Sequence, residues 1–209
     1  MKNSTENAPK GLATATYSSP IYSALFVRKD SAYKKRDRWD CYDADRDALS
    51  HENDNPVVTH SPCRLWGILA HMASNAREGE KELTYFALEK VRKNGGLLEH
   101  PSSSRIFKEL PDVDGFPDDW GGFTIEIDQF DFGPVAHKMT KLYIVGLSIL
   151  ELPAMPKKRT ESADRSICGN VAGTKRCTQY QREYTPENLI DWIERTMDVI
   201  ITNKRLSLR

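Results

Sequence analysis

The sequence has no apolar run near the roughly 18–20 residues that span a bilayer. Its polar N-terminus lacks the apolar core of a signal peptide, so the expected location is the cytoplasm. Net charge is absent too, because 30 Lys and Arg offset 30 Asp and Glu. No global basic excess marks a nucleic-acid binder, and any such contact needs a local patch. Cys41, Cys63, Cys168 and Cys177 show no Cys-x-x-Cys spacing. That argues against a zinc ribbon or a disulfide framework, and the thiols are expected to be reduced. No ligand spacing joins them to the histidines, so no metal site is expected. No internal repeat is visible, which removes solenoids and propellers.

What is present is a chain of 209 residues, long enough to bury a sizeable core. Composition divides it into four stretches. Residues 1–20 are rich in Ser, Thr and Asn and read as a flexible lead-in. Residues 21–152 alternate strand and helix patterns and read as one α/β domain. Residues 153–183 form a basic, apolar-poor loop or arm. Residues 184–209 carry a helix, with Thr185 as N-cap, Pro186 in the first turn, and Leu189, Trp192, Ile193, Met197 and Ile200 on one face.

Within the domain, residues 21–27 read as a first strand and 38–43 as a second, followed by a helix from Ala44. An acid at a second-strand end meets a ribose hydroxyl in many nucleotide-binding sheets. Asp43 and Asp45 fit that role, and Asp43 fits a helix cap equally well. A third strand at 56–59 runs into Ser61-Pro62-Cys63-Arg64. A helix from about Glu78 to Asn94 stops at Gly95-Gly96, and a buried strand follows through Leu97-Leu98-Glu99-His100-Pro101. This is a βαβ unit, so its strands should be parallel and end at one edge. Cys63 and Glu99 then face one crevice. A short helix is expected over 102–110, a loop over 111–122, and strands at 123–128 and 142–147.

Three pieces stand in order: Ser61-Pro62-Cys63 after one strand, Glu99-His100-Pro101 after the next, and a segment from His137 through Met139 and Lys141 to Ile144-Val145-Gly146. This order resembles the catalytic half of the cytosine-5 DNA methyltransferases, in a diverged, truncated, phage-type form. The family carries a Pro-Cys nucleophile loop, a Glu-Asn-Val or Glu-Asn-Pro motif, and a Gln-x-Arg-x-Arg motif leading into Ile-Val-Gly. The resemblance spans roughly residues 20–150. It implies a Rossmann-like, mostly parallel sheet flanked by helices, as in class I methyltransferases. It also implies DNA as partner and a base flipped out of the duplex. Cys63 would attack pyrimidine C6, Glu99 would hold the ring, and Lys141 would stand in for the second arginine. Ser61, Pro62, Arg64, His100 and Pro101 would line the base site. Phe26, Asp43 and Asp45 would line the S-adenosylmethionine site.

The departures are specific. The family's first strand ends in a glycine-rich loop, whereas Leu25-Phe26-Val27-Arg28-Lys29 keeps only Leu-Phe. His100 stands for the motif asparagine, and His137 and Met139 stand for its Gln and first Arg. Three readings remain open. One is a DNA-modifying enzyme with a methyl or other one-carbon donor. Another is a catalytically impaired protein of the same fold that binds DNA or a protein partner. The third is an unrelated nucleotide-binding α/β protein in which Cys63 is structural. In the second reading the seven cations at Lys157, Lys158, Arg159, Arg165, Lys175, Arg176 and Arg182 carry the binding.

Overall fold

The computed structural model describes residues 21–68, 70–74, 76–167 and 173–208. The lead-in expected at 1–20, and Cys168, lie outside them. Four short strands run parallel: β1 (Tyr22–Leu25), β2 (Trp39–Tyr42), β3 (Val57–Thr59) and β4 (Gly96–Pro101). They are followed by β5 (Phe123–Asp128), the two-residue β6 (Ala136–His137) and β7 (Met139–Val145). Among the described residues the main sheet has six strands in the order β2-β1-β3-β4-β7-β5. β7 is antiparallel to both β4 and β5, so the sheet is mixed, with a parallel core. The arm is folded rather than loose. β8 (Arg165–Ser166) and β9 (Lys175–Arg176) pair in parallel beside β6, and α2 (Gln179–Glu183) follows α1 (Glu82–Asn94) in chain order.

Both faces of the sheet are covered. Alternate residues of one strand enter different cores: Leu97 and Ile144 on one face, Leu98, Tyr143 and Val145 on the other. The first face meets α3 (Glu187–Ser207), which buries Leu189, Trp192, Ile193, Met197 and Ile200 at helical spacing. The second meets α1 through Ala87, Leu88 and Val91. Such two-sided cover is what near-continuous apolar strands require.

Several boundaries differ from the sequence expectation. α1 starts at Glu82 rather than 78, because Gly79 sits at φ 74° and interrupts the turn before it. The helix expected from Ala44 is only a 3-10 turn at Ala48–Ser50, preceded by Asp47 at φ 39°. The one expected over 102–110 is a 3-10 turn at Arg105–Lys108. α3 opens one residue late, with Pro186 rather than Thr185 at the cap position. β7 starts at Met139, three residues early, because β5 supplies a partner for its first half.

Candidate functional site

The parallel strands deliver their carboxyl ends to one edge, and the Pro-Cys loop leaves the sheet there. The His60 amide still bonds to the Leu25 carbonyl at 3.1 Å, extending the β1–β3 pairing by one residue. The chain then turns away and is fastened from both sides. Ser61 Oγ lies 2.8 Å from His100 Nε2 and donates to Thr84 Oγ1 of α1 at 3.3 Å. Trp66 Nε1 donates to the same Thr84 oxygen at 2.9 Å, and the Arg105 amide donates to the Trp66 carbonyl at 2.9 Å. Arg64 reaches buried Glu80 at 2.6 Å. These ties hold Pro62 and Cys63 out at the edge, with Cys63 free and solvent-exposed. Desolvation by the surrounding wall, and then the charge of Glu99, push its thiol up from the ordinary value. Lys138 and Arg64 pull the other way.

Glu99 lies buried on the α3 face of β4 and is ringed by donors. His60 Nδ1 is 3.0 Å from Oε2, Gln129 Nε2 donates to Oε1 at 3.0 Å, and Lys138 Nζ stands 3.7 Å from Oε1. Burial alone would raise this carboxyl. Lys138, His60 and His100 overcome that and hold it well below the usual carboxylate range. The far nitrogen of His60 is 3.3 Å from the Tyr33 hydroxyl, whose own ionisation burial suppresses. His60 thus bridges Tyr33 and Glu99, one ring nitrogen to each. Gln129 Nε2 also reaches Thr140 Oγ1 at 3.1 Å, which fixes the amide and leaves its buried carbonyl oxygen without a protein partner.

His100 follows Glu99 on β4 and turns to the opposite face. There it bridges Ser61 Oγ and Ser104 Oγ, the latter at 2.9 Å, so it positions the Pro-Cys loop and does not reach Cys63 as a base. Burial pushes it down to about 4 from the usual 6.5. The unfolded chain therefore binds the extra proton between those values, and stability falls as pH drops through that window. We expect up to about 3 kcal/mol to be lost from this residue between pH 6.5 and 4. In denaturant titrations His100→Gln should flatten that segment of the stability profile. An unchanged slope would place the acid sensitivity elsewhere.

Other expected site residues fall differently. Lys141 does not join Glu99. It sits opposite His100 in the β4–β7 ladder, and its ammonium lies 5.6 Å from the Phe107 ring, on the α1 face. The cation beside Glu99 is Lys138. Pro101 ends β4 opposite Thr140, next to the Glu99 group. Phe26 stands at the end of β1 at φ 59°, where a glycine would be unstrained, and packs edge-on against Phe86. Asp43 is consumed as a cap: it pairs with Lys34 and accepts from the amides of Asp45 and Arg46 at 3.0 and 3.1 Å. Chiefly through Lys34, its carboxyl is lowered to about 2. Asp45 is exposed and pairs with Lys29 at 2.7 Å. Asp43 is thus occupied, whereas the Asp45 carboxylate stays open to solvent beside Lys29.

The arm closes over this edge. Arg28 pairs with Glu183 and lies 5.2 Å from the centre of the Tyr180 ring. Tyr184 lines two clefts, one with Phe26, Arg28 and His60, the other with Gln129, Lys138 and Cys177. Each has room for no more than a few water molecules. No protein-family model, no curated protein and no solved structure matches this chain.

Proposed function

We propose that this chain modifies a pyrimidine of DNA, with Cys63 adding to C6 of a base taken out of the stack. The observation that carries the reading is the convergence of an exposed Cys63, a buried Glu99 and Lys138 at one carboxyl edge of a parallel sheet core. Supporting it is strand order. Class I methyltransferases place an antiparallel strand between their last two parallel ones, as β7 lies between β4 and β5. Relative to them, one strand beyond β2 is missing among the described residues. The Pro-Cys loop follows β3, the strand beside β1, and Glu99 lies on β4 next to it, an order that supports the comparison. Lys138, not Lys141, takes the role of the cation.

The donor side does not fit S-adenosylmethionine. The turn after β1 has no glycine, Phe26 occupies the position where backbone would approach the cofactor, Asp43 is spoken for, and the arm narrows the cleft. No step is therefore assigned to that cofactor.

The reaction tested is donor-independent. The sulfur lone pair forms the S–C6 bond, and the C5=C6 pair moves into the ring towards C4. C5 then takes a proton from water, loses its original hydrogen, and the S–C6 bond breaks. Oligonucleotides with tritium at pyrimidine C5 should release it to water in the presence of the protein. No release above that of Cys63→Ser would refute the reading.

DNA should be held through the arm. Lys157, Lys158, Lys175 and Arg176 are exposed. Arg159 is not available, because it bonds the Phe130 and Pro134 carbonyls at 3.0 and 2.8 Å and lies 3.9 Å from the centre of the Phe130 ring. Reversing Lys157 and Lys158 to Glu should weaken retention at every sequence and cut the salt slope by about two. Retention that stays the same would take this pair out of the interface.

A further inference from the structure

The α1 side of the sheet carries a cleft far larger than the two that Tyr184 lines. It lies between α1 and the loop at 111–122 and has a volume of about 550 Å³. Tyr85, Leu88, Glu89, Arg92 and Lys93 line it along α1 at helical spacing, and Trp120 of the loop forms the opposite wall. From Tyr85 to Lys93 the helix rises about 12 Å. Both aromatic walls are exposed and yet fixed. Trp120 is 56% exposed. Its amide donates to Asp118 Oδ1 at 3.0 Å, the Gly122 amide donates to the same oxygen at 2.9 Å, and the Gly121 amide donates to the Asp118 carbonyl at 2.8 Å. Asp118 Oδ2 accepts from the Tyr143 hydroxyl at 2.8 Å and from Arg92 at 3.3 Å, which ties the loop to β7 and α1. Across the cleft the Tyr85 hydroxyl donates to the Glu109 carboxylate at 3.1 Å, and its ring packs edge-on against Trp66. The Arg92 guanidinium lies 5.7 Å from the centre of the Trp120 ring. Trp, Tyr and Arg side by side are the composition of interface hot spots, and a fixed shape lowers the ordering cost of association.

Charge selects the partner. The loop holds Asp112, Asp114, Asp118 and Asp119 and no Lys or Arg. Asp118 pairs with Arg92, and Glu89 stands one turn before Lys93. Asp112, Asp114 and Asp119 are exposed beyond these pairs, and Phe116 between them is 94% exposed. These carboxylates repel a phosphate backbone and attract a cationic protein surface. We propose that this cleft docks an amphipathic helix of a partner protein, with cations flanking one apolar stripe. The apolar side chains fill the space between Tyr85 and Trp120 over Leu88, and the cations meet Asp112, Asp114 and Asp119. Two helical turns match the length of the cleft. The docking does not depend on the reaction at Cys63.

The test uses the full chain and a synthetic helix of about 14 residues, with Leu along one face and Lys on the other. Trp39, Trp66 and Trp192 are buried, so acrylamide quenching of the protein's fluorescence reports on Trp120. The Lys peptide should shift the emission to the blue and protect it from acrylamide, and a counterpart with Glu in place of Lys should do neither. Trp120→Ala should weaken binding, followed by anisotropy of a labelled peptide, by about thirtyfold or more. Reversing Asp114 and Asp119 to Lys should weaken it by about tenfold at low salt and less at high salt. Far-ultraviolet dichroism checks that each variant folds. Failure of the Lys peptide to bind, equal binding of the Glu peptide, or an unchanged affinity in Trp120→Ala would overturn the assignment. Stronger protection of Trp120 by a single-stranded oligonucleotide would overturn it in favour of nucleic acid. A dimer in sedimentation that Trp120→Ala dissociates would overturn it in favour of a second copy of this chain.

Discussion

Cys63→Ser should lower C5 tritium release by about a thousandfold or more, to the level of buffer. Serine keeps the size and the loop, but its hydroxyl ionises far less readily than a thiol. The loop is fastened by Ser61, Trp66 and Arg64 and not by the sulfur, so the fold should be unchanged. Cys41→Ser is the matched control. Cys41 lies half-buried in β2, and burial pushes its thiol to about 11. The pH profile gives an independent check. Desolvation first, and then Glu99, raise the Cys63 thiol, with Lys138 and Arg64 opposing. The thiolate fraction, and with it the exchange rate, should keep climbing past the ordinary thiol value of 9.0. A rate that levels off at neutral pH would mean that another group is the nucleophile.

Gly96→Ala should cost about 4 kcal/mol or more and lower the melting midpoint by about 10 °C or more. Gly96 opens β4 at φ 126°, paired with Val57. A Cβ there would sit 1.9 Å from the Val57 carbonyl oxygen and 2.7 Å from its nitrogen. Nothing flexible can yield, because both are backbone atoms of the adjacent strand. The β3–β4 pair must separate, and the Cys63–Glu99 juxtaposition goes with it. Gly79→Ala separates strain from collision. It has a positive φ of 74° but nothing within 4 Å of its Cβ, so about 1 kcal/mol is expected. Thermal unfolding of the two variants followed by circular dichroism decides the point, and equal shifts would refute the collision.

The parts legible in the sequence were those written in local pattern. Apolar runs gave β1, β3 and β4, helical spacing gave α1 and α3, and a βαβ unit brought Cys63 and Glu99 to one edge. The 3-10 turn at Ala48–Ser50 escaped, because Asp47 at positive φ breaks the helix without altering its apolar pattern. At the site, motif spacing pointed to Lys141, while β7 pairs Lys141 with His100 on the far face. Face is set by register across strands distant in sequence, which residue spacing cannot supply. Lys138 reaches Glu99 because the turn at Gln129–Phe132 folds back, with the Gln129 amide bonded to the Lys138 carbonyl at 3.1 Å. A clue did exist in His60, whose place one residue beyond β3 gives it the same parity as Val58 on the α3 face. The arm was read as a loop because strands of two residues leave no periodicity to detect.

The C-terminal helix finishes what the first strands begin. Tyr22 donates to Asp198 at 2.5 Å, Trp39 to Glu194 at 2.6 Å, and Arg36 pairs with Asp191 at 2.6 Å. Trp192 and Ile193 pack in the same core as Tyr22 and Ala24. During synthesis, β1 and β2 therefore leave the ribosome with one face bare. They lack their α3 partners until 155 positions after Trp39 and 176 after Tyr22. Such non-local closure slows folding and exposes apolar strand to neighbouring chains in the interval. The strands of the sheet and α3 thus have to be present together before this core can close.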